Sequence, residues 1–197
     1  IGDDFRRFCN FLDNGELVQY PRVHFTTAEI IDIKHISDSR YKSIQALMRT
    51  TVKEDLLTGN ALSGDLEDHH IFPYSLNKSG LNKGKLNSVA NRIIVSKITN
   101  RDIGNQNPDK YLTKLVRHHI KEGNTADLDR RLAACFIPYS STESIFETKI
   151  GNNSFERFLE DRAQMMVDRI KEIVGDAWKA PLDSEDKNLE DDEFITD

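Results

Sequence analysis

The residues best suited to chemistry are two adjacent histidines, His69 and His70, in the segment DLEDHHIFPYS at positions 65–75. The chain contains only six histidines in 197 residues. Neutral imidazole, whose unperturbed pKa is about 6.5, can accept a proton from water or bind a cation at pH 7. A general base and a metal ligand could therefore stand side by side here.

Two asparagines follow the histidines at a fixed spacing. The segment NRIIVSKITNRDIG places Asn91 and Asn100 nine positions apart, on either side of a short apolar run. Positions 74–101 contain six lysines or arginines and no acidic residue. A local basic surface of this kind favours contact with phosphates. The candidates for such contacts are Arg92, Lys97 and Arg101, and with less support Tyr74 and Ser75.

Together these residues resemble the HNH, or ββα-metal, nuclease motif. In that family two strands and a helix hold one divalent cation against a scissile phosphate. The resemblance implies that His70, directly before Ile-Phe-Pro, is the general base and that His69 is a metal ligand. It also implies that Asn100 is the second protein ligand and that Asn91 braces the loop that positions the base.

A closer resemblance is to the C-terminal nuclease domain of GmrSD-type modification-dependent restriction proteins and related phage-defence effectors. It rests on HHIFP, on NRIIVSKITNRDIGNQNPDKYL and on a late F-x-x-FL-x-x-R-A pattern at positions 155–163. It is strongest over residues 40–120 and extends to 175. It implies a cytoplasmic DNA endonuclease or nickase with an upstream NTPase sensing domain, so we expect this chain to be part of a longer protein.

The resemblance also implies a cofactor, a single divalent cation. One histidine and one asparagine leave most of the coordination sphere to water and phosphate, which suits Mg²⁺ or Mn²⁺. Zn²⁺ or Ni²⁺ could occupy the same ligands. The motif does not choose between DNA and RNA, and the oligomeric state is open.

The roles of the residues at 68–70 have an alternative register. In it Asp68 binds the metal and His69 is the base, although the Ile-Phe-Pro segment favours His70. In the favoured register Asp68 could orient one histidine by accepting a hydrogen bond. Since neighbouring residues of a strand point to opposite faces, both histidines can serve one site only if the strand ends or bends there.

A nucleic-acid-binding module with an inactive or structural-zinc site is the alternative function. Structural zinc needs four ligands, but Cys9 and Cys135 are not spaced near the histidine pair. We expect both cysteines to be buried free thiols. His118 and His119 are interpreted as capping or surface residues in the last turn of a helix.

The remaining sequence predicts a mostly α (α+β) fold, a helical domain that carries a ββα-metal insertion. The expected parts are an N-terminal helical part (1–62), the HNH motif (63–107), C-terminal helices packed on the first part (108–176) and an acidic, mobile tail (177–197). The net charge of −6 comes from that tail, because residues 1–182 carry 26 basic and 25 acidic side chains. No apolar run is long enough to span a membrane.

Local signals place the boundaries of several helices. Thr26 and Glu29 form a capping-box pattern, although the Ile-rich run that follows could also be a strand. Pro108 suits the first turn of a helix. A long amphipathic helix is predicted over positions 153–174, ended by Gly175. Arg162 interrupts its apolar face and is expected to have a specific partner.

Overall fold

The computed structural model describes residues 25–138 and 152–175, and for Asn152 and Asn153 the backbone only. Phe25–Ile173 form one compact unit. The predictions for Cys9, for the first helical segment and for the acidic tail lie outside the described residues. The boundaries expected at 62, 107 and 176 stay predictions.

The described chain is mostly helical and contains a small two-stranded sheet, so the α+β class is confirmed. Among the described residues, no helix is both long and apolar enough to cross a membrane. Two short 3-10 helices at Tyr74–Ser79 and Val89–Asn91 lie between the strands. The strands are β1 (Leu66–His70) and β2 (Arg92–Ser96), and the helices are α1 (Thr27–Asp32), α2 (Ser39–Thr51), α3 (Lys83–Leu86), α4 (Lys97–Ile103), α5 (Pro108–Glu122), α6 (Thr125–Ala134) and α7 (Asn152–Val174).

The helix starts follow the sequence signals closely. Both hydrogen bonds of the capping box between Thr26 and Glu29 are present, so the segment is helix α1 rather than a strand. Helix α5 has Pro108 in its first turn and ends at Gly123 in the left-handed conformation. The segment KSGLNKGKLNS, predicted to be a polar loop, instead contains α3, because Asn82 accepts hydrogen bonds from the first backbone N–H groups of that helix.

The two strands and the next helix lie in the chain order β1, β2, α4. The strands pair antiparallel, with Leu66 opposite Ser96 and His70 opposite Arg92. The hydroxyl oxygen of Ser96 then caps α4 by accepting a hydrogen bond from the backbone N–H of Thr99. Because no residue separates β2 from α4, the position of the sheet fixes the position of the helix.

Helix α7 packs against the connection between the strands and contacts the start of β2. The rings of Phe155 and Phe158 each lie 4.9 Å from the ring of Phe72. Arg162 is fully buried and donates hydrogen bonds to the backbone oxygens of Ala90 and Arg92, each at 2.6 Å. The specific partner expected for Arg162 is therefore the backbone at the start of β2.

Three expectations about apolar faces and histidines are wrong. The helical spacing of apolar residues also predicts Ile120 and Ile173 on the buried faces of their helices, but they are 57% and 55% exposed. His119, expected to be a capping or surface residue, is buried. Its Nε2 lies 2.6 Å from a guanidinium nitrogen of Arg131, and this contact joins α5 to α6.

A buried carboxylate, Asp55, fixes the start of α4. It accepts hydrogen bonds from the hydroxyl of Thr99 at 2.5 Å and from the backbone N–H of Ser96 at 2.9 Å. The backbone N–H groups of Leu57 and Thr58 donate to the same carboxylate, both at 3.1 Å. Burial alone would raise the pKa of Asp55, but the hydrogen bonds from Thr99, Ser96 and Thr58 outweigh it and lower the pKa.

We expect Asp55→Asn to destabilise the protein by about 2–3 kcal/mol at pH 7, since an amide cannot accept all these bonds. The folded-state pKa lies below the unfolded value of about 3.9, so the contribution is present above that pH and is lost as pH falls through the folded pKa. Urea unfolding should show a difference between the variant and wild type that shrinks below about pH 4. Asp32→Asn, at a 77% exposed side chain, is the control. A pH-independent difference would contradict this account.

Candidate active site

One cavity of about 310 Å³ brings the predicted site residues together. It lies where the end of β1 meets helix α4. The cavity is lined by polar side chains of both elements and by residues that follow each element in the chain. The lining residues are Asp68, His69, His70, Pro73, Tyr74, Asn100, Gly104 and Asn105.

His69 and Asn100 face each other across the junction of strand and helix. Nδ1 of His69 lies 2.6 Å from Oδ1 of Asn100. At this distance a proton lies between the two atoms, so Nδ1 of His69 donates a hydrogen bond to the amide oxygen. The imidazole is buried, and among the described residues its Nε2 has no hydrogen-bond partner. To hold a metal ion together, the two atoms would have to move apart and Nδ1 would have to lose its proton.

His70 reaches the same cavity because β1 ends at this residue. Pro73, three residues later, turns the chain into a 3-10 helix. The condition that the strand end or bend at the histidine pair is therefore met. Nε2 of His70 lies 3.2 Å from Oδ1 of Asn87, an asparagine of the connection between the strands.

The pKa values of both histidines are lowered from the ordinary value, which favours the neutral imidazole at pH 7. Burial is the largest cause that lowers the pKa of His69, and the contact with Asn100 opposes it in part. Burial also lowers the pKa of His70, and the nearby positive charge of Arg92 adds to this effect. Neutral imidazole is the form that accepts a proton or binds a cation.

Asn91 is fully buried and holds the segment that follows the histidines. Its Oδ1 accepts a hydrogen bond from the backbone N–H of Phe72 at 2.9 Å, and its Nδ2 donates to the carbonyl of Phe72 at 2.9 Å. The same Nδ2 donates to the carbonyl of Leu86 at 2.8 Å. Asn91 does not line the cavity, so its contacts are those of a bracing residue.

Asp68 has partners other than the histidines. It accepts a hydrogen bond from the hydroxyl of Tyr41, which reaches it from α2. Its Oδ2 also lies 3.9 Å from a guanidinium nitrogen of Arg92. Among the residues that the structure describes, no hydrogen bond joins Asp68 to either histidine. The suggestion that Asp68 fixes a histidine tautomer is therefore not supported. The alternative register, in which Asp68 binds the metal and His69 is the base, stays a prediction.

The three predicted phosphate contacts differ in exposure. The side chain of Arg92 is only 15% exposed and lies 3.9 Å from Asp68. Lys97 and Arg101 lie one helical turn apart on α4, with side chains 61% and 78% exposed. Lys97 pairs with Asp65 at 2.8 Å. Of the three predicted phosphate contacts, Lys97 and Arg101 are therefore exposed enough to contact a large anionic partner.

The cavity offers two candidate ligands for a divalent cation, His69 and Asn100. Among residues 25–138 and 152–175, no group of three or more His, Cys, Asp or Glu side chains could hold a metal ion. The expected set, however, contains one histidine and one amide oxygen. Mg²⁺ and Mn²⁺ accept such a sparse set because water and phosphate complete their coordination. His69 and Asn100 fit that requirement.

Several residues at the site were not predicted from the sequence. They have no motif of their own: Tyr41 and Asp55 come from distant segments, and Asn87 lies within a polar stretch. Gly104 has a φ of 52°, which favours glycine, and it directs the chain from α4 past the cavity. The Ile-Gly-Asn sequence at positions 103–105, which begins three residues after the second asparagine, was the available signal for Asn105.

Comparison with known proteins identifies no family for this chain. No model of a known protein family matches the chain, and no solved structure matches it. The chain is 24% identical over 192 residues to the uncharacterized protein MJ0686 of Methanocaldococcus jannaschii, an alignment that covers 87% of this chain and 33% of that protein. The chain thus spans about a third of the length of this curated relative.

Proposed function

We propose that this protein is a divalent-metal-dependent DNA endonuclease or nickase of the HNH type. The observation that carries the proposal is the shared cavity. It joins a neutral histidine, His70, to the facing pair of His69 and Asn100. Hydrolysis of a phosphodiester needs a base for water and a means to neutralise phosphoryl charge, and this cavity offers a candidate for each.

His70 is the general base in this proposal. Its imidazole is neutral at pH 7 and opens into a cavity where a water molecule could lie within reach. General-base assistance of this kind contributes about 10²–10⁴-fold to a rate. Asn91 serves the base indirectly, since it fixes the backbone two residues after His70.

His69 and Asn100 would hold the cation. When bound, a divalent ion stabilises negative charge on the phosphoryl and leaving oxygens of a phosphodiester. The protein's own contribution would be to leave the site open, because two of the residues that line the cavity are the proposed ligands and one wall is the exposed end of α4. Lys97 and Arg101 on that helix would contact neighbouring phosphates.

The wider role we propose is that of an effector domain in a bacterial anti-phage restriction system of the GmrSD type. The support is the likeness of positions 40–120 to the nuclease domain of such proteins. The chain covers a third of its curated relative, so an additional sensor domain with NTPase activity has room in a longer protein. Cytoplasmic location and DNA as substrate belong to the same proposal.

A supercoiled plasmid assay tests the function. Purified protein with Mg²⁺ or Mn²⁺ should convert the plasmid to nicked or linear forms, and EDTA should stop the conversion. A parallel RNA substrate tests the choice of sugar. Absence of cleavage with either metal, together with stoichiometric tightly held zinc, would instead support a nucleic-acid-binding module with an inactive site.

The ligand assignment predicts weaker metal binding in two variants. His69→Ala and Asn100→Ala should each lower Mn²⁺ affinity at least about tenfold in calorimetry, the range found when metal-site partners are removed. Asn124→Ala, at the distant N-terminus of α6, is the matched control and should bind Mn²⁺ as wild type does. Unchanged affinity in both site variants would remove the assignment.

A further inference from the structure

Asn87 makes the polar contact recorded for the imidazole of His70. Its Oδ1 lies 3.2 Å from Nε2 of His70. Because Oδ1 rather than Nδ2 of Asn87 faces the ring, Asn87 is the acceptor in this orientation, and a hydrogen bond between them places the proton of a neutral His70 on Nε2. A neutral histidine protonated there has its free electron pair on Nδ1.

The protein holds both members of this contact in place. The backbone N–H of Asn87 closes helix α3 by donating to the carbonyls of Gly84 and Lys85. The carbonyl just before Asn87, that of Leu86, accepts a hydrogen bond from the buried Asn91. Since Asn91 also holds the backbone two residues after His70, one buried side chain fixes the segments that carry the base and its partner.

We propose that Asn87 is a positioning residue that keeps His70 in the Nε2–H tautomer, so that Nδ1 accepts the proton. This inference rests on the proposed nuclease function. In the reaction, the attacking water gives its proton to Nδ1 while its oxygen bonds to phosphorus. The bond from phosphorus to the leaving deoxyribose oxygen breaks, and that oxygen takes a proton from solvent. Oδ1 of Asn87 still accepts from Nε2–H in the imidazolium that forms.

The tautomer can be measured without metal or substrate. In ¹⁵N-histidine-labelled protein at pH 8, the ring nitrogens of His70 should show the Nε2–H form in wild type and in Asn87→Asp, which keeps an acceptor. Asn87→Ala should shift His70 toward a mixture of tautomers. A wild-type Nδ1–H form, or a tautomer unchanged by Asn87→Ala, would overturn the inference.

Kinetics provide the second test. Asn87→Ala should lower kcat about 10- to 100-fold, a part of the whole general-base effect, and leave KM unchanged. Asn82→Ala removes the cap of the same short helix without touching His70 and should keep kcat near wild type. Equal kcat losses in both variants would reduce Asn87 to a structural role. If wild type cleaves nothing, the nuclease proposal fails, while the NMR result still decides the tautomer.

Discussion

His70→Ala is expected to lower plasmid cleavage at least about a hundredfold, because it removes the group that accepts the proton of the attacking water. The fold should survive. His70 is the last residue of β1, and its backbone pairing with Arg92 does not depend on the imidazole. DNA binding, measured by fluorescence anisotropy, should change little because Lys97 and Arg101 remain. A variant that cuts at the wild-type rate would show that another residue is the base.

His118→Ala is the matched control for this experiment. His118 is an exposed histidine on α5, so its removal changes the histidine count without entering the cavity. It should cleave at the wild-type rate. Equal losses in the two variants would indicate a general effect of histidine removal rather than the loss of a base.

Arg162→Met is expected to destabilise the protein more than the other substitutions described here. The guanidinium donates to four carbonyls, and the three shortest bonds are to Ala90 and Arg92 at 2.6 Å and to Cys135 at 3.0 Å. Methionine has similar length but no donor, so each of these buried oxygens loses a partner at about 1–3 kcal/mol. The sum approaches the roughly 5–15 kcal/mol that stabilises a whole domain.

The charge of Arg162 persists despite its burial. Burial lowers the pKa of the guanidinium to about 10, which still leaves it protonated at pH 7. Arg162→Lys keeps a charge but cannot reproduce the planar fork that reaches several carbonyls. We therefore expect it, too, to lower the thermal unfolding midpoint.

Thermal unfolding followed by circular dichroism measures both variants. The midpoint should fall on the order of 10 °C or more for Arg162→Met, since each kcal/mol shifts a protein of this size by about 2–4 °C. Arg157→Met, on the same helix with a 78% exposed side chain, should shift it by less than about 2 °C. An unchanged midpoint for Arg162→Met would mean that the carbonyls find other partners.

Local signals in the sequence predicted those parts of the fold that depend on local chemistry. The capping box at Thr26 and the proline at position 108 determine helix starts by themselves. The resemblance to the ββα-metal motif implied two strands and a helix in this region, and the structure has β2 at the apolar run, with Asn91 directly before the strand and Asn100 on the helix after it. These features depend on neighbours within a few residues.

Contacts between distant segments could not be predicted in the same way. Asp55 lies 44 positions from Thr99, and Tyr41 lies 27 positions from Asp68. Both pairs form only after the helices have packed, and neither has a characteristic spacing. For the same reason Arg92 could not be distinguished from Lys97 as a phosphate contact. Arg92 is only 15% exposed in the folded chain, which its neighbours in the sequence do not reveal.

We propose above that His69 and Asn100 hold one divalent cation beside His70. A crystal of the protein grown or soaked with Mn²⁺ and measured at the manganese absorption edge tests this claim most directly. We predict an anomalous peak within ligand distance of both Nδ1 of His69 and Oδ1 of Asn100, in the cavity that His70 lines, with these two atoms farther apart than the 2.6 Å of their direct contact. A manganese peak elsewhere, with these two side chains still in direct contact, would contradict it.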